Sequence, residues 1–306
     1  MRLIFIATGD IALPSFRHLL EHGPRPLALV TQPDKPVGRH QTLTPPLIKI
    51  EALAAGIPVY QPEKIGDATD QLAALEPEMI VVMAYGQILR KNILTLASCA
   101  IINLHASLLP RYRGAACIQA AIDSGDTKTG ITSLHVIREL DAGDIIFAKA
   151  IPIAPDETGG ILHDRLASLA AEVLSETLTN IADGTAPRIP QVATLVSYVP
   201  KLERDDGRLD WTLSAIALER RIRAYDPWPG TFTLADEGGK EKRLKIHPST
   251  KVLDLVLAPG MVSSETGSLI VGCGAGALEI TSVQPEGGKR MCAGDYLRGR
   301  KPEVFR

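Results

Sequence analysis

Ala100-Ile101-Ile102-Asn103-Leu104-His105 runs into Ala106-Ser107-Leu108-Leu109-Pro110-Arg111-Tyr112-Arg113-Gly114. An apolar run of strand length ends in an amide and an imidazole two positions apart, and a loop built on Pro110 and Gly114 follows at once. Side chains at i and i+2 of a strand point to the same side, so Asn103 and His105 can face one reacting atom. At the end of the next apolar segment, Leu140-Asp141-Ala142-Gly143-Asp144 places a carboxylate in a tight turn. An amide, an imidazole and a carboxylate brought together are the parts for polarising a carbonyl and moving a proton. No serine or cysteine is placed like a nucleophile, and no histidine cluster has metal-ligand spacing.

Outward from this stretch, the first 150 residues alternate short apolar runs with helical patterns, which predicts an α/β fold with a parallel sheet and helices on both faces. Leu3 to Ala7, Leu27 to Thr31, Ile57 to Tyr60, Met79 to Ala84 and Ala100 to Leu104 read as strands, with Thr129 to Ile137 and Asp144 to Ile153 as two more. The run Met79 to Ala84 is apolar throughout, as a buried central strand should be. Pro14 to His22, Leu47 to Ala55, Ala115 to Ser124 and about Thr158 to Ala182 read as helices. Pro14 near a start and Gly23, Gly56 and Gly125 just past the ends have the expected polarity. The result is a Rossmann-like twisted open sheet, whose ligands are expected at the carboxyl ends of strands, where Asn103 and His105 fall. Between Gln32 and Pro46, four prolines and a glycine predict a long loop without regular structure, of a length often functional.

Beyond Asp183-Gly184-Thr185-Ala186-Pro187 the pattern changes. Phe232 to Leu234, Leu244 to Ile246, Met261 to Val262, Ser268 to Val271 and Leu278 to Val283 are short strand candidates split by glycine turns. They suggest a small C-terminal β-barrel of the OB kind. The expected division is a catalytic domain over 1–186, a linker over 187–203 and the barrel over 204–306.

The 306 residues suit two domains with separate cores, and 45% apolar with 22% charged residues is ordinary for a soluble enzyme. Four scattered cysteines argue against disulfides or a metal, and a reducing cytoplasm is the expectation. The opening apolar run stops at Gly9-Asp10, too short to span a membrane. A formal charge of −2 does not advertise a nucleic-acid binder. It hides an asymmetry, since Glu203 to Arg306 holds 16 Lys and Arg against 15 Asp and Glu, and the remainder 17 against 20.

The Asn103-x-His105 pair, the run Ser107 to Gly114 and the Leu140 to Asp144 turn at this separation resemble the catalytic region of the 10-formyltetrahydrofolate-dependent formyltransferases. The resemblance covers nearly the whole chain. It implies direct formyl transfer to an amine through a tetrahedral intermediate, with no metal and no covalent enzyme intermediate. By the same resemblance His105 stabilises the oxyanion and relays the proton. Asn103 donates its amide to the same oxygen, and Asp141 favours the protonated imidazole and orders water. Asp144 competes with Asp141 for the carboxylate role; the family's aspartate precedes the small residue and glycine, which selects Asp141. Ser107, Leu108, Leu109 and Pro110 match the folate-contacting loop, and Gln87, Ile88 and Leu89 the segment lining the pterin pocket. Read alone, that second segment is an ordinary strand-to-helix turn, and His135 and His163 read as structural.

Three further stretches are similar to the branch of the family whose acceptor is charged initiator methionyl-tRNA. The segment Thr31 to Arg39 looks like its insertion against the acceptor stem, with Arg39, Lys35 and Lys49 implied as tRNA contacts. Ser197-Tyr198-Val199-Pro200-Lys201-Leu202 and Asp206 to Trp211 are similar to its link into the C-terminal domain. Pro227-Trp228-Pro229-Gly230-Thr231 and Val283 to Met291 resemble its barrel. A monomer with no DNA or membrane partner is expected. Two departures stand out: Cys117 occupies a position where the family usually has proline, and Ala7-Thr8-Gly9-Asp10-Ile11 replaces its Gly-Thr-Pro-Asp-Phe. Neither removes a catalytic group. A single glycine at position 9 is no dinucleotide fingerprint. A sugar-nucleotide or purine-precursor acceptor would need neither the C-terminal hundred residues nor the Arg39 loop.

Overall fold

A computed structural model describes residues 1–38, 41–236, 240–264 and 267–306. Two compact units divide the chain. The first holds 1–117, 129–151 and 163–199; the second holds 118–128, 152–162 and 200–306.

The first unit is built on a seven-stranded sheet, in the order Ile145–Pro152, Lys128–His135, Ala100–His105, Met79–Met83, Leu3–Ala7, Ala28–Val30, Val59–Tyr60. Leu3–Ala7 sits between two parallel neighbours and all five of its residues are buried. Burying each of Leu3, Ile4, Phe5 and Ile6 contributes about 1.5–3 kcal/mol relative to exposure, so this strand anchors the sheet. The parallel expectation holds as far as Ala100–His105 and fails at the next strand, because Lys128–His135 runs antiparallel to it, His135 lying opposite Ile102 and Thr132 opposite His105. Patterns of burial carry no strand direction, so the sequence could not distinguish the two.

The segment read as an irregular loop is partly ordered. Lys35–Val37 and Thr42–Thr44 pair antiparallel, with Pro36 opposite Leu43. A proline lacks only one donor, which a two-stranded ribbon tolerates. The segment read as a bare linker also pairs: Tyr198–Val199 lies parallel to Arg113–Gly114.

The second unit carries two four-stranded sheets. One has the order Thr231–Asp236, Glu241–Ile246, Ser282–Pro285, Met291–Cys292, and the other Thr250–Leu253, Ala277–Ile280, Leu269–Gly272, Val262–Ser263. Leu278 to Val283, read as one strand, is two strands that break at Thr281 and enter different sheets. A helix over Ala215–Ala224 starts at Ser214, whose Oγ accepts from the Ala217 N–H at 3.3 Å. Trp211, Leu218, Tyr296 and Phe305 are buried in a common core, and the indole N–H of Trp211 donates to Thr233 Oγ1 at 3.0 Å. Among the described residues no helix is long and apolar enough to cross a membrane.

Candidate active site

Asn103 lies opposite Val82 on its parallel side and Leu134 on its antiparallel side. It and His105 therefore end a central strand at the point where strand direction reverses. The loop that follows is clamped onto the neighbouring strand. Ser107 is fully buried, its hydroxyl donating to the Arg111 carbonyl at 2.7 Å and its carbonyl accepting from Thr132 Oγ1 at 2.6 Å. The same Thr132 oxygen accepts from the Leu109 N–H at 3.2 Å.

Asp141 closes on this strand end from 38 residues away. Its Oδ1 accepts from Asn103 Nδ2 at 3.2 Å, and its Oδ2 accepts from the Gly114 N–H at 2.9 Å. Oδ2 also stands 3.6 Å from His105 Nδ1. On the other side of the ring, His105 Nε2 lies 2.8 Å from the Tyr112 carbonyl. A carbonyl can only accept, so Nε2 carries a proton and Nδ1 is the nitrogen turned to the carboxylate. The His105 and Asp141 side chains are only 7% and 9% exposed, which strengthens each of these interactions relative to water. Asn103 gives one of its two amide N–H groups to Asp141, and the second could donate to another acceptor. Asp141, with φ at 51°, and Tyr112, at 58°, both occupy the left-handed region, conformations that persist where surroundings over-determine them and that cluster at functional sites.

Two glycines make the close approaches possible. A Cβ at Gly114, where φ is 110°, would fall 2.2 Å from the Val199 carbonyl oxygen, and one at Gly143 would fall 1.7 Å from that of His135.

The structure thus brings Asn103, His105 and Asp141 together. Asp144 instead accepts the His135 N–H through its backbone, with its carboxylate 3.9 Å from Arg188. His135 is buried with no partner on Nε2; burial holds it below the ordinary histidine value, Arg188 adding to that and Asp144 opposing it. In the loop after His105, Ser107 and Leu109 are buried and Leu108 and Pro110 half-buried. Gln87, Ile88 and Leu89 leave the carboxyl end of the adjacent parallel strand Met79–Met83. There Leu89 packs into the core, Ile88 is exposed, and the Gln87 amide bridges the Ile65 N–H and the Glu63 carbonyl.

Of the cations on the inserted segment, Lys35 is exposed on the hairpin, its ammonium bonded to Gln32. Lys49 is held by both carboxylate oxygens of Asp34 at 2.8 Å. The Gln61 amide and the Lys49 ammonium together lower the Asp34 carboxyl below its ordinary value. Arg39 lies outside the described residues. Cys117 is buried at the first residue of the helix Cys117–Asp123, a position at which proline is common in helices. Among the described residues no group of three or more His, Cys, Asp or Glu is arranged to hold a metal.

Sequence reasoning missed the Tyr112 carbonyl and the Gly114 N–H, which as backbone groups leave no side-chain signal. It also missed Gln191, whose amide N–H groups reach the carbonyls of Asp141 and Gly143 at 2.8 and 2.9 Å.

Comparison with known proteins places this geometry in a lineage. The formyl transferase family model matches residues 1–178, and the model of the formyl transferase C-terminal domain matches residues 201–301. A methionyl-tRNA formyltransferase of Akkermansia muciniphila is 51% identical, covering 98% of this chain and 96% of that protein. One of Geobacter metallireducens is 41% identical over 99% and 97%. Among solved structures, an N-formyltransferase from Helicobacter canadensis, in complex with folinic acid and dTDP-3-aminofucose, superposes with a TM-score of 0.67. It is 15% identical, with 95% of this chain and 100% of that one covered. HypX from Aquifex aeolicus, solved with tetrahydrofolic acid, gives 0.65 at 18% identity; all of this chain matches about half of that protein (51%).

Proposed function

This chain belongs to the formyl transferase family, and we propose that it moves the formyl group of 10-formyltetrahydrofolate onto the α-amino group of methionyl-initiator tRNA. The observation that carries this reading is near-full-length identity, up to 51%, with relatives named for the methionyl-tRNA reaction; the solved neighbours support the fold alone.

In the proposed reaction the amine nitrogen attacks the formyl carbon, whose C=O bond becomes a C–O⁻ in a tetrahedral intermediate. The attacking nitrogen loses a proton, N10 of the folate gains one, and the carbon–N10 bond breaks as the carbonyl reforms. This balance closes with no metal and no covalent bond to the enzyme. The Asn103 amide and the His105 ring stabilise the oxyanion. His105 relays the proton, and the Asp141 carboxylate holds the ring and the amide in register. Ser107, Leu108, Leu109 and Pro110, with the backbone of Gln87, Ile88 and Leu89, receive the folate.

For the acceptor, residues 1–186 carry catalysis, 187–203 link, and 204–306 contact tRNA in an OB-like manner; Arg39, with Lys35 and Lys49, meets the acceptor end. The enzyme acts as a cytoplasmic monomer and engages neither DNA nor a membrane. If cations steer tRNA, raising salt from about 50 to 200 mM should raise the KM for charged tRNA by at least tenfold, with the KM for the folate donor little changed. Steady-state kinetics across that range check it, and a salt-independent KM for tRNA removes the phosphate-directed contacts.

A further inference from the structure

Between the long helix Gly159–Ala182 and residue 200 the chain forms no element longer than three residues, yet at Ile189, Gln191, Ser197 and Val199 it is bonded to the segments that make the candidate site or flank it. Ile189 exchanges both backbone hydrogen bonds with Ile145, at 2.9 and 3.0 Å, just beyond the Asp141 turn. Ser197 accepts from the Tyr112 and Arg113 N–H groups, through its hydroxyl at 3.0 Å and its carbonyl at 2.8 Å. The Val199 carbonyl accepts from the Ala115 N–H at 3.1 Å.

Gln191 joins the two loops. Its Nε2 donates to the carbonyls of Asp141 and Gly143, and its Oε1 accepts from Arg113 Nε at 3.1 Å and Nη2 at 2.8 Å. Arg113 is itself buried and reaches the Tyr198 hydroxyl through Nη1 at 3.2 Å. The orientation of the Gln191 amide is dictated from both sides. A guanidinium can only donate, so it must face Oε1, and two carbonyls can only accept, so they must face Nε2. The amide therefore ties the loop that supplies the Tyr112 carbonyl and the Gly114 N–H to the turn that supplies Asp141. It grips that turn at the residue held in the left-handed conformation.

We propose that Gln191, oriented by Arg113, is a positioning residue of the formyl-transfer site, setting the Asp141 carboxylate against Gly114, Asn103 and His105. This rests on the reading of the site as a formyl-transfer centre. It makes the stretch after the long helix a support of the Asp141 turn rather than a bare connection. A misplacement of about 1 Å in a catalytic group can cost about a hundredfold in rate, so the amide's loss should appear in turnover rather than binding.

Two substitutions in the full-length enzyme separate positioning from mere support. Gln191→Met keeps the length and removes every polar contact. Gln191→Glu keeps, and charges, the contact to Arg113, but turns a carboxylate oxygen toward two carbonyls. Both should lower kcat by about 10- to 100-fold, with the KM for each substrate within about twofold of wild type. The Gly114 amide proton, which donates to Asp141, should move upfield in the NMR spectra of both variants as that bond lengthens. If Gln191 only steadied Arg113 and the linker, Gln191→Glu would keep wild-type kcat and an unshifted Gly114 resonance; that result overturns the proposal. A raised KM at unchanged kcat overturns it as well. Should the wild-type enzyme transfer nothing to methionyl-tRNA, the functional reading fails, and the Gly114 resonance decides positioning by itself.

Discussion

Replacing His105 with alanine is expected to lower kcat for formyl transfer by about 10³-fold, some 4 kcal/mol of transition-state stabilisation, with the fold intact. Both ring nitrogens are occupied in this structure, Nε2 by the Tyr112 carbonyl and Nδ1 facing the Asp141 carboxylate, so to act on the formyl group the ring must give up one of these partners to the substrate. A preorganised group in a water-poor site is worth more than the same group in water, and losing a single oxyanion donor elsewhere costs about 10²–10³ in rate. His105 is assigned the proton relay in addition to that donor role, which places it at the upper end. The alanine variant keeps the strand, because Ile102 and Leu104 on one face and Ile101 on the other remain buried. Single-turnover transfer from 10-formyltetrahydrofolate, beside circular dichroism and thermal melting, checks both halves. A folded variant within tenfold of wild type removes His105 from the mechanism.

Asp141→Asn is expected to lower kcat by about 10²-fold, and it is more informative than alanine. Asparagine tolerates a positive φ as aspartate does, so the turn at φ 51° survives. What changes is the hydrogen bonding. Each carboxylate oxygen accepts from a different donor, Asn103 Nδ2 on one and the Gly114 N–H on the other. An amide has one acceptor oxygen, so whichever way it lies, its NH₂ meets a donor head-on. The charge facing His105 disappears in the same step. Unchanged KM for folate with kcat reduced is the expected pattern; kcat within about fivefold of wild type would show that the carboxylate serves the fold and not the reaction.

How much of this was legible depended on whether the cause was local. Asn103 and His105 could be paired from strand periodicity alone, because i and i+2 share a side whatever the strand's neighbours are. The buried strands Leu3–Ala7 and Met79–Met83 were visible for the same reason, their apolar runs being bounded by turns. The pairing of Lys35–Val37 with Thr42–Thr44 was hidden by Pro36 and by the prolines flanking it, Pro33, Pro45 and Pro46, since proline argues against strands in general but is tolerated in a two-stranded ribbon. The helix Ala215–Ala224 was hidden by its charge, since Glu219, Arg220, Arg221 and Arg223 crowd its sequence while Ala215, Leu218 and Ile222 still line one buried side. The direction of Lys128–His135 and the split of Leu278 to Val283 between two sheets are decided by pairing, which no window of residues contains.

The site shows the same boundary. Asp141 is implied by the resemblance; folded, its carboxylate bonds to Asn103 and Gly114 and stands 3.6 Å from the His105 ring. Gln191 could not be found, because an isolated glutamine between Ile189-Pro190 and Val192-Ala193 carries no signal until the chain folds residues 113 and 141 around it. Lys49 shows the converse: a cation on the helix Leu47–Ala54, beside a suggestive loop, is engaged by Asp34, so its availability to a phosphate depends on a partner the sequence did not pair with it.

The proposed function rests on which donor gives the formyl group and which amine receives it. Its most direct test is transfer of labelled formyl from 10-formyltetrahydrofolate to charged initiator methionyl-tRNA, with charged elongator methionyl-tRNA as the control. Rapid transfer to the initiator alone is the result predicted. No transfer to the initiator, by folded protein that still binds tetrahydrofolate, would contradict the account.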